Sequence, residues 1–146
     1  MHDGLIDDLF HPRFVFYSPV HLDEIASRGF LDRAHFASHV DFAIAAWQVN
    51  MESKDEQVFG VRDTLVETLT PLVTPTTMRV DVWVERLDST SCVYGFLCSS
   101  VDGNTAFARG ERIITKFDPR SHQPAAWSGT FREKHETLLR SLPAYA

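Results

Sequence analysis

The sequence predicts an α+β fold in which a five- or six-stranded antiparallel sheet wraps one long central helix. Three observations predict it. Residues 32–51 carry the only long helical pattern near the start of the chain, one strand-like run precedes it, and four long strand-like runs follow it without interruption. Few chains that place a single helix after the first strand of a meander have another way to bury it. At 146 residues the chain reads as one domain, with its core over residues 13–118 and a tail beyond. A domain of that size buries roughly two-thirds of its unfolded surface.

Residues 1–12 read as a short arm, and Pro12 marks the entry to order. Residues 13–21 are rich in aromatic and β-branched side chains (Phe14, Val15, Phe16, Tyr17, Val20), which favours a strand. Pro19 inside that run assigns it to a sheet edge or a bulge, because proline cannot donate to a ladder. Residues 22–31 have mixed polarity and contain Gly29, so they read as a loop. Asp32 is a suitable N-cap, since its carboxylate can accept from the orphan amides of a first turn. Beyond it Phe36, Val40, Ala43, Trp47 and Met51 recur at helical spacing and share one face. A helix of this length spans roughly 28–30 Å, about the length of a strand of nine or ten residues, so the two can lie side by side.

The first of the later strands covers residues 57–69 and stops at Pro71 and Pro75. In residues 78–87 the alternation puts Met78, Val80, Val82 and Val84 on one face and Arg79, Asp81, Trp83 and Glu85 on the other. Trp83 on the polar face reads as a surface aromatic or a subunit contact. Residues 91–99 and 105–117 form the last pair, joined by the turn sequence Val101-Asp102-Gly103-Asn104. Gly110 interrupts the last run, the mark of a bulge or of a close backbone approach. After Pro119 the chain reads as loop to Gly129, and residues 130–142 as a short terminal helix.

Composition excludes several classes. The chain is 44% hydrophobic and 23% charged, ordinary for a globular protein. A net charge of −6 argues against nucleic acid as a partner, because phosphate binding needs clustered Lys and Arg. The start of the chain is acidic with no apolar core after it, and the apolar run at residues 42–47 is far short of the ~18 residues of a membrane span. No membrane association and a cytoplasmic location are therefore expected. Cys92 and Cys98 share one strand and would lie roughly 20 Å apart, too far for a disulfide. They read as reduced, buried thiols.

Three stretches carry a family resemblance. Phe14 to Asp41 combines a strand, a loop with the paired acids Asp23 and Glu24, Gly29, and a helix bearing Phe36 and Asp41. Thr68-Leu69-Thr70-Pro71-Leu72 precedes the strand over residues 78–87. Asp88-Ser89-Thr90-Ser91 leads into the next strand, followed by Asp102-Gly103 and Ala108-Arg109-Gly110-Glu111. In order and spacing these resemble the hotdog thioesterase superfamily, in its 4-hydroxybenzoyl-CoA thioesterase-like branch. The resemblance implies hydrolysis of an acyl-CoA or acyl-carrier-protein thioester and a homodimer or dimer of dimers. It implies no cofactor, coenzyme A entering only as part of the substrate. The chain departs from the family at Ala26, where the best-known members place a catalytic Asp, and at Phe30 and Arg33, where they often have His or Asn.

Thioester hydrolysis needs a base or nucleophile beside the carbonyl and donors for the developing oxyanion. Asp23, Glu24 and Asp41 are the candidate acids. The resemblance implies that Gly29 to Leu31 supply the oxyanion amides, with glycine admitting the carbonyl closely. His39 takes the place of a family Tyr near the cleft, Phe30 and Phe36 could line an acyl pocket, and Ser91 could contact the thiol carrier. Arg109 and Arg112 belong to a basic cluster that could meet phosphates. His35 and His39 stand at i and i+4, a metal-like spacing with no third ligand in sight, so no metal is expected. The alternatives are an acyl-thioester binder without hydrolysis, which Ala26 favours, and a dehydratase or hydratase on the same fold.

Overall fold

The structure of the chain, a computed structural model, describes residues 11–49 and 59–140. The elements run β1 (Phe14–Val20), α1 (Leu22–Ala26), α2 (Arg33–Gln48), β2 (Phe59–Thr68), β3 (Thr76–Leu87), β4 (Ser91–Ser100), β5 (Ala106–Lys116) and α3 (Gly129–Glu136). Five strands form one sheet in the order β1-β3-β4-β5-β2, every neighbouring pair antiparallel. β1 and β2 are the two edges, which is where Pro19 can sit without costing a ladder bond.

Helix α2 has 16 residues and is about 24 Å long, capped by the Asp32 side chain, which accepts from the His35 amide at 3.0 Å. Of the expected span, residues 50 and 51 lie outside the described residues, as does the arm over residues 1–10 and the start of the run over 57–69. The predicted stripe of Phe36, Val40, Ala43 and Trp47 is buried, joined by Ile44. It packs on the inner sheet face, where Met78, Val80, Val82, Val84, Tyr94 and Phe96 are also buried.

Where a loop was expected after β1, the chain makes the single-turn helix α1. The Glu24 carboxylate accepts the His21 amide at 2.8 Å, Ile25 anchors the turn in the core, and Gly29 closes it by donating to the Ile25 carbonyl at 2.7 Å. One buried residue in five is too little periodicity to read from sequence. Gly29 adopts φ +82° with no atom near where a Cβ would stand, so glycine is there for its backbone angle and not for a close approach.

The outer face of β3 differs from its sequence reading. Trp83 is 5% exposed, neither a surface aromatic nor an open contact. It lies across Gly95 on β4, where a Cβ would come within 2.3 Å of the indole nitrogen, and its N–H donates to Glu85 at 2.6 Å. Beside it, buried Asp81 is held by Arg13 at 2.9 Å and Arg79 at 2.8 Å. Near a bulge between Val84 and Arg86, residues 138–140 bond to β3 just beyond Val82, which faces the first residue of β1, with Val84 donating to the Leu138 carbonyl at 2.8 Å.

Helix α3 begins at the Ser128 cap and ends at Glu136, shorter than the expected span 130–142, because residues 138–140 leave the helix to bond to β3; residues 141–142 lie outside the described residues. It closes the core with a stack of Trp127 on Phe131 (3.9 Å) and Phe131 on His135 (3.6 Å). Gly110 pairs in register with Val66 and Phe96, so it marks a close approach and not a bulge. A Cβ there would fall 1.8 Å from the Leu65 carbonyl oxygen. Gly110→Ala is therefore expected to destabilise the fold by at least about 1–3 kcal/mol, because backbone has to move. Gly129→Ala, where a Cβ meets nothing within 4 Å, should stay within about 0.5 kcal/mol of wild type in urea unfolding. Equal midpoints for the two variants would contradict this packing.

Candidate active site

Burying one stripe of α2 sets its rotation, and the rotation sends its polar residues to different flanks. His39 and Asp41 stand about 200° apart around the axis. His39 faces β1 and α1, whereas Asp41 faces β5.

On the β1 flank three residues form a relay. His39 is buried, its Nε2 lies 2.7 Å from Glu24 Oε1, and its Nδ1 lies 2.5 Å from Ser18 Oγ. Ser18 comes from β1, Glu24 from α1 and His39 from α2, all of one chain. Burial pushes the Glu24 carboxyl up, but the His21 amide and the His39 imidazole outweigh it and hold the group below its ordinary value. An ionised Glu24 accepts only, so Nε2 of His39 carries the proton. The other ring nitrogen, Nδ1, is then free to accept from the Ser18 hydroxyl, a tautomer that follows from the hydrogen bonding. A base is thus aimed at a hydroxyl and oriented by a carboxylate, the arrangement that activates a serine as nucleophile. The relay sits in the wall of a groove of about 790 Å³.

On the opposite flank Asp41 pairs with Arg112, whose other nitrogen donates to Thr64 at 3.0 Å. Burial raises the Asp41 carboxyl above its ordinary value, with Arg112 opposing. This pair lines a smaller cavity of about 140 Å³ with Gln48 and Tyr94. Asp23 is exposed on the outside of α1 and takes no part in either group.

The segment before α2 is differently placed. The Gly29 amide is bonded to Ile25 and the Leu31 amide to Leu72, so neither points to an oxyanion in this structure. Leu31 and Phe36 are core, while Phe30 lies on a pocket of about 390 Å³ shared with Arg28, Asp32 and Thr68. Arg109 and Arg112, three apart on a strand, face opposite sides of the sheet, and Arg109 is paired with Glu67 at 2.7 Å. They do not form one phosphate patch. Ser91 donates to Asp88 in the turn between β3 and β4.

The two helical histidines also separate: His35 Nδ1 lies 2.7 Å from Asp32, the cap, and His39 belongs to Glu24. Among the described residues no group of three or more His, Cys, Asp or Glu could hold a metal ion. Both cysteines are buried, and burial pushes the Cys92 thiol up to about 12 and Cys98 higher still, so neither is a ready thiolate. Ser18 was not among the residues singled out from sequence. The available signal was its place in an inward-facing set, Phe14, Phe16, Ser18 and Val20, where a lone hydroxyl needs a partner.

No protein-family model matches the sequence, and no curated protein matches it. Solved structures do. The chain is similar to a 1,4-dihydroxy-2-naphthoyl-CoA thioesterase from Synechocystis, at 10% identity and TM-score 0.78, over 87% of this chain and 98% of that one. A Staphylococcus aureus protein solved in complex with CoA matches at 11% identity and TM-score 0.76, over 91% of this chain and 89% of that one. A Thermus thermophilus thioesterase complexed with coenzyme A and Zn matches at 20% identity and TM-score 0.73, over 85% and 92%. The antiparallel sheet around α2 is therefore the hotdog fold, shared with these solved structures.

Proposed function

We propose that this chain hydrolyses an acyl-CoA thioester to a free acid and a thiol, with Ser18 as nucleophile, His39 as base and Glu24 as the group that orients it. The observation that carries this reading is the Ser18–His39–Glu24 relay in the wall of an open groove. Likeness in fold to CoA-bound proteins supports CoA as the thiol, as an analogy.

The chemistry balances within the chain and water. Ser18 Oγ attacks the thioester carbonyl carbon while His39 Nδ1 takes its proton. The O–C bond forms, the C–S bond breaks, and the leaving thiolate takes the proton back from His39. Water then attacks the acyl-serine ester, giving its proton to Nδ1, which returns it to Ser18 as the acid leaves. Glu24 stays ionised throughout, holding Nε2–H and stabilising the imidazolium. Neither metal nor cofactor enters any step.

Free-thiol release from acyl-CoA should fall at least about 100-fold in Ser18→Ala, His39→Gln and Glu24→Gln. Asp23→Asn should retain turnover. The raised carboxyl of Asp41 makes it the second reading for a base. Loss of turnover in Asp41→Asn alone, with the relay variants active, would move the chemistry to that flank. Acyl-CoA bound without thiol from any variant or wild type would leave a non-hydrolytic binder.

The lowered carboxyl of Glu24 has a consequence for stability. A carboxylate whose folded pKa is depressed stabilises the fold above its unfolded pKa, and that stabilisation is lost as pH falls through the folded value. The stability gap between wild type and Glu24→Gln should therefore be largest near neutrality and shrink in acid. A gap independent of pH would mean that Glu24 is not ionised in the relay.

The same reading includes a homodimer formed through β2, a ten-residue edge strand on which Val61 and Leu65 are each 50% exposed. β1 and β2 are opposite edges with three strands between them, so the relay stands apart from that contact. Val61→Asp with Leu65→Asp should yield monomers by light scattering that still release thiol. An inactive monomer with native unfolding behaviour would point to a site built between subunits.

A further inference from the structure

The relay occupies one end of its groove, and the rest of the groove has a different chemistry. Phe42, Ala46 and Val49 continue along α2 from His39, on the side turned away from the core stripe. Phe42 is 62% exposed and Val49 73%, an apolar ridge at each end with alanine between them. Phe16 on β1 forms the facing wall. From His39 to Val49 the helix rises about 15 Å. Among the described residues no lysine or arginine lines this space, so none of them offers the phosphates of a thiol carrier a counter-ion in it.

We propose that this groove, between β1 and the C-terminal half of α2, holds an aliphatic acyl chain of medium length, and that Ala46 sets the length accepted. The inference rests on the relay reading for the position of the thioester carbonyl. With that carbon at Ser18, the acyl chain runs over Ala46 toward Val49, while the carrier leaves past His21, the exposed lining residue at the relay end. Two features select an extended aliphatic chain over a short or bulky one. The trough is long and floored by a methyl group, and among the described residues its polar groups cluster at the relay.

The test combines turnover and binding. Thiol release is compared for acetyl-, octanoyl-, dodecanoyl- and benzoyl-CoA, in wild type and in Ala46→Phe. Octanoyl-CoA should exceed acetyl-CoA in kcat/KM by at least about tenfold in wild type, since each buried methylene adds discrimination. Ala46→Phe should lower the dodecanoyl-to-acetyl ratio by at least about tenfold. In parallel, displacement of a fluorescent fatty acid by dodecanoyl-CoA is measured in Ser18→Ala and in Ser18→Ala with Ala46→Phe, and the second substitution should weaken it.

The outcomes separate the two readings. Relay variants that are dead while the chain-length profile is flat, or unmoved by Ala46→Phe, overturn the groove and leave the relay standing. Binding that depends on Ala46 in a protein that never releases thiol overturns the relay and keeps the groove. If Phe42→Ser dissociates an oligomer without changing chain-length preference or fatty-acid binding, the groove is a contact between copies and the proposal falls.

Discussion

The orientation of α2 about its own axis is the constraint on which the rest of the molecule depends. Phe36, Val40, Ala43 and Trp47 all have to reach the inner face of the sheet, and only one rotation of the helix allows it. With that rotation set, His39 has nowhere to point except toward β1, and Asp41 nowhere except toward β5. A helix rolled by one residue would bury about 100° of a different surface, put charge into the core and dissolve both polar groups together. Core packing and site geometry are thus one constraint seen from two sides.

Two buried histidines show how environment separates structure from chemistry. His135 donates to the Phe131 carbonyl at 2.8 Å and meets the Tyr94 hydroxyl at 2.6 Å, in a stack of aromatic rings at the end of the core. Tyr94 is further tied to Gln48 at 2.7 Å, and these side chains work as a polar clasp between α3, β4 and α2. His39 instead has a carboxylate on one nitrogen and a hydroxyl on the other, beside open volume. The Glu24 carboxylate fixes the ring of His39, because by accepting from Nε2–H it leaves Nδ1 facing the Ser18 hydroxyl.

Much of the architecture was legible because it rests on local periodicity. The Asp32 cap, the core stripe of α2, the edge position of Pro19 and the turn around Gly103 follow from spacing and backbone preference, and all stand where they were expected. The misreadings have two causes, and the first is that spacing does not report what lies opposite a residue. Trp83 looked exposed because its neighbours Arg79, Asp81 and Glu85 are charged. Those charges are satisfied by Arg13 and Arg140 from remote parts of the chain, and the indole is covered. α1 was hidden because a single turn with one apolar anchor has no period.

By itself, then, the sequence determined the order of the strands and of α2, the antiparallel sheet around a helix, and a short set of acids beside the first strand and on α2. These depend on interactions within a few residues, where propensity and alternation act. Only the tertiary structure showed what each acid touches. It joined Glu24 to His39 and Ser18 across 15 and 21 residues, and it tied Asp41 to Arg112 on the other flank. It also parted Arg109 from Arg112 through the two-residue period of a strand. Hydrogen bonding between distant segments is set by how the helix packs on the sheet, and no local pattern in the chain encodes that docking.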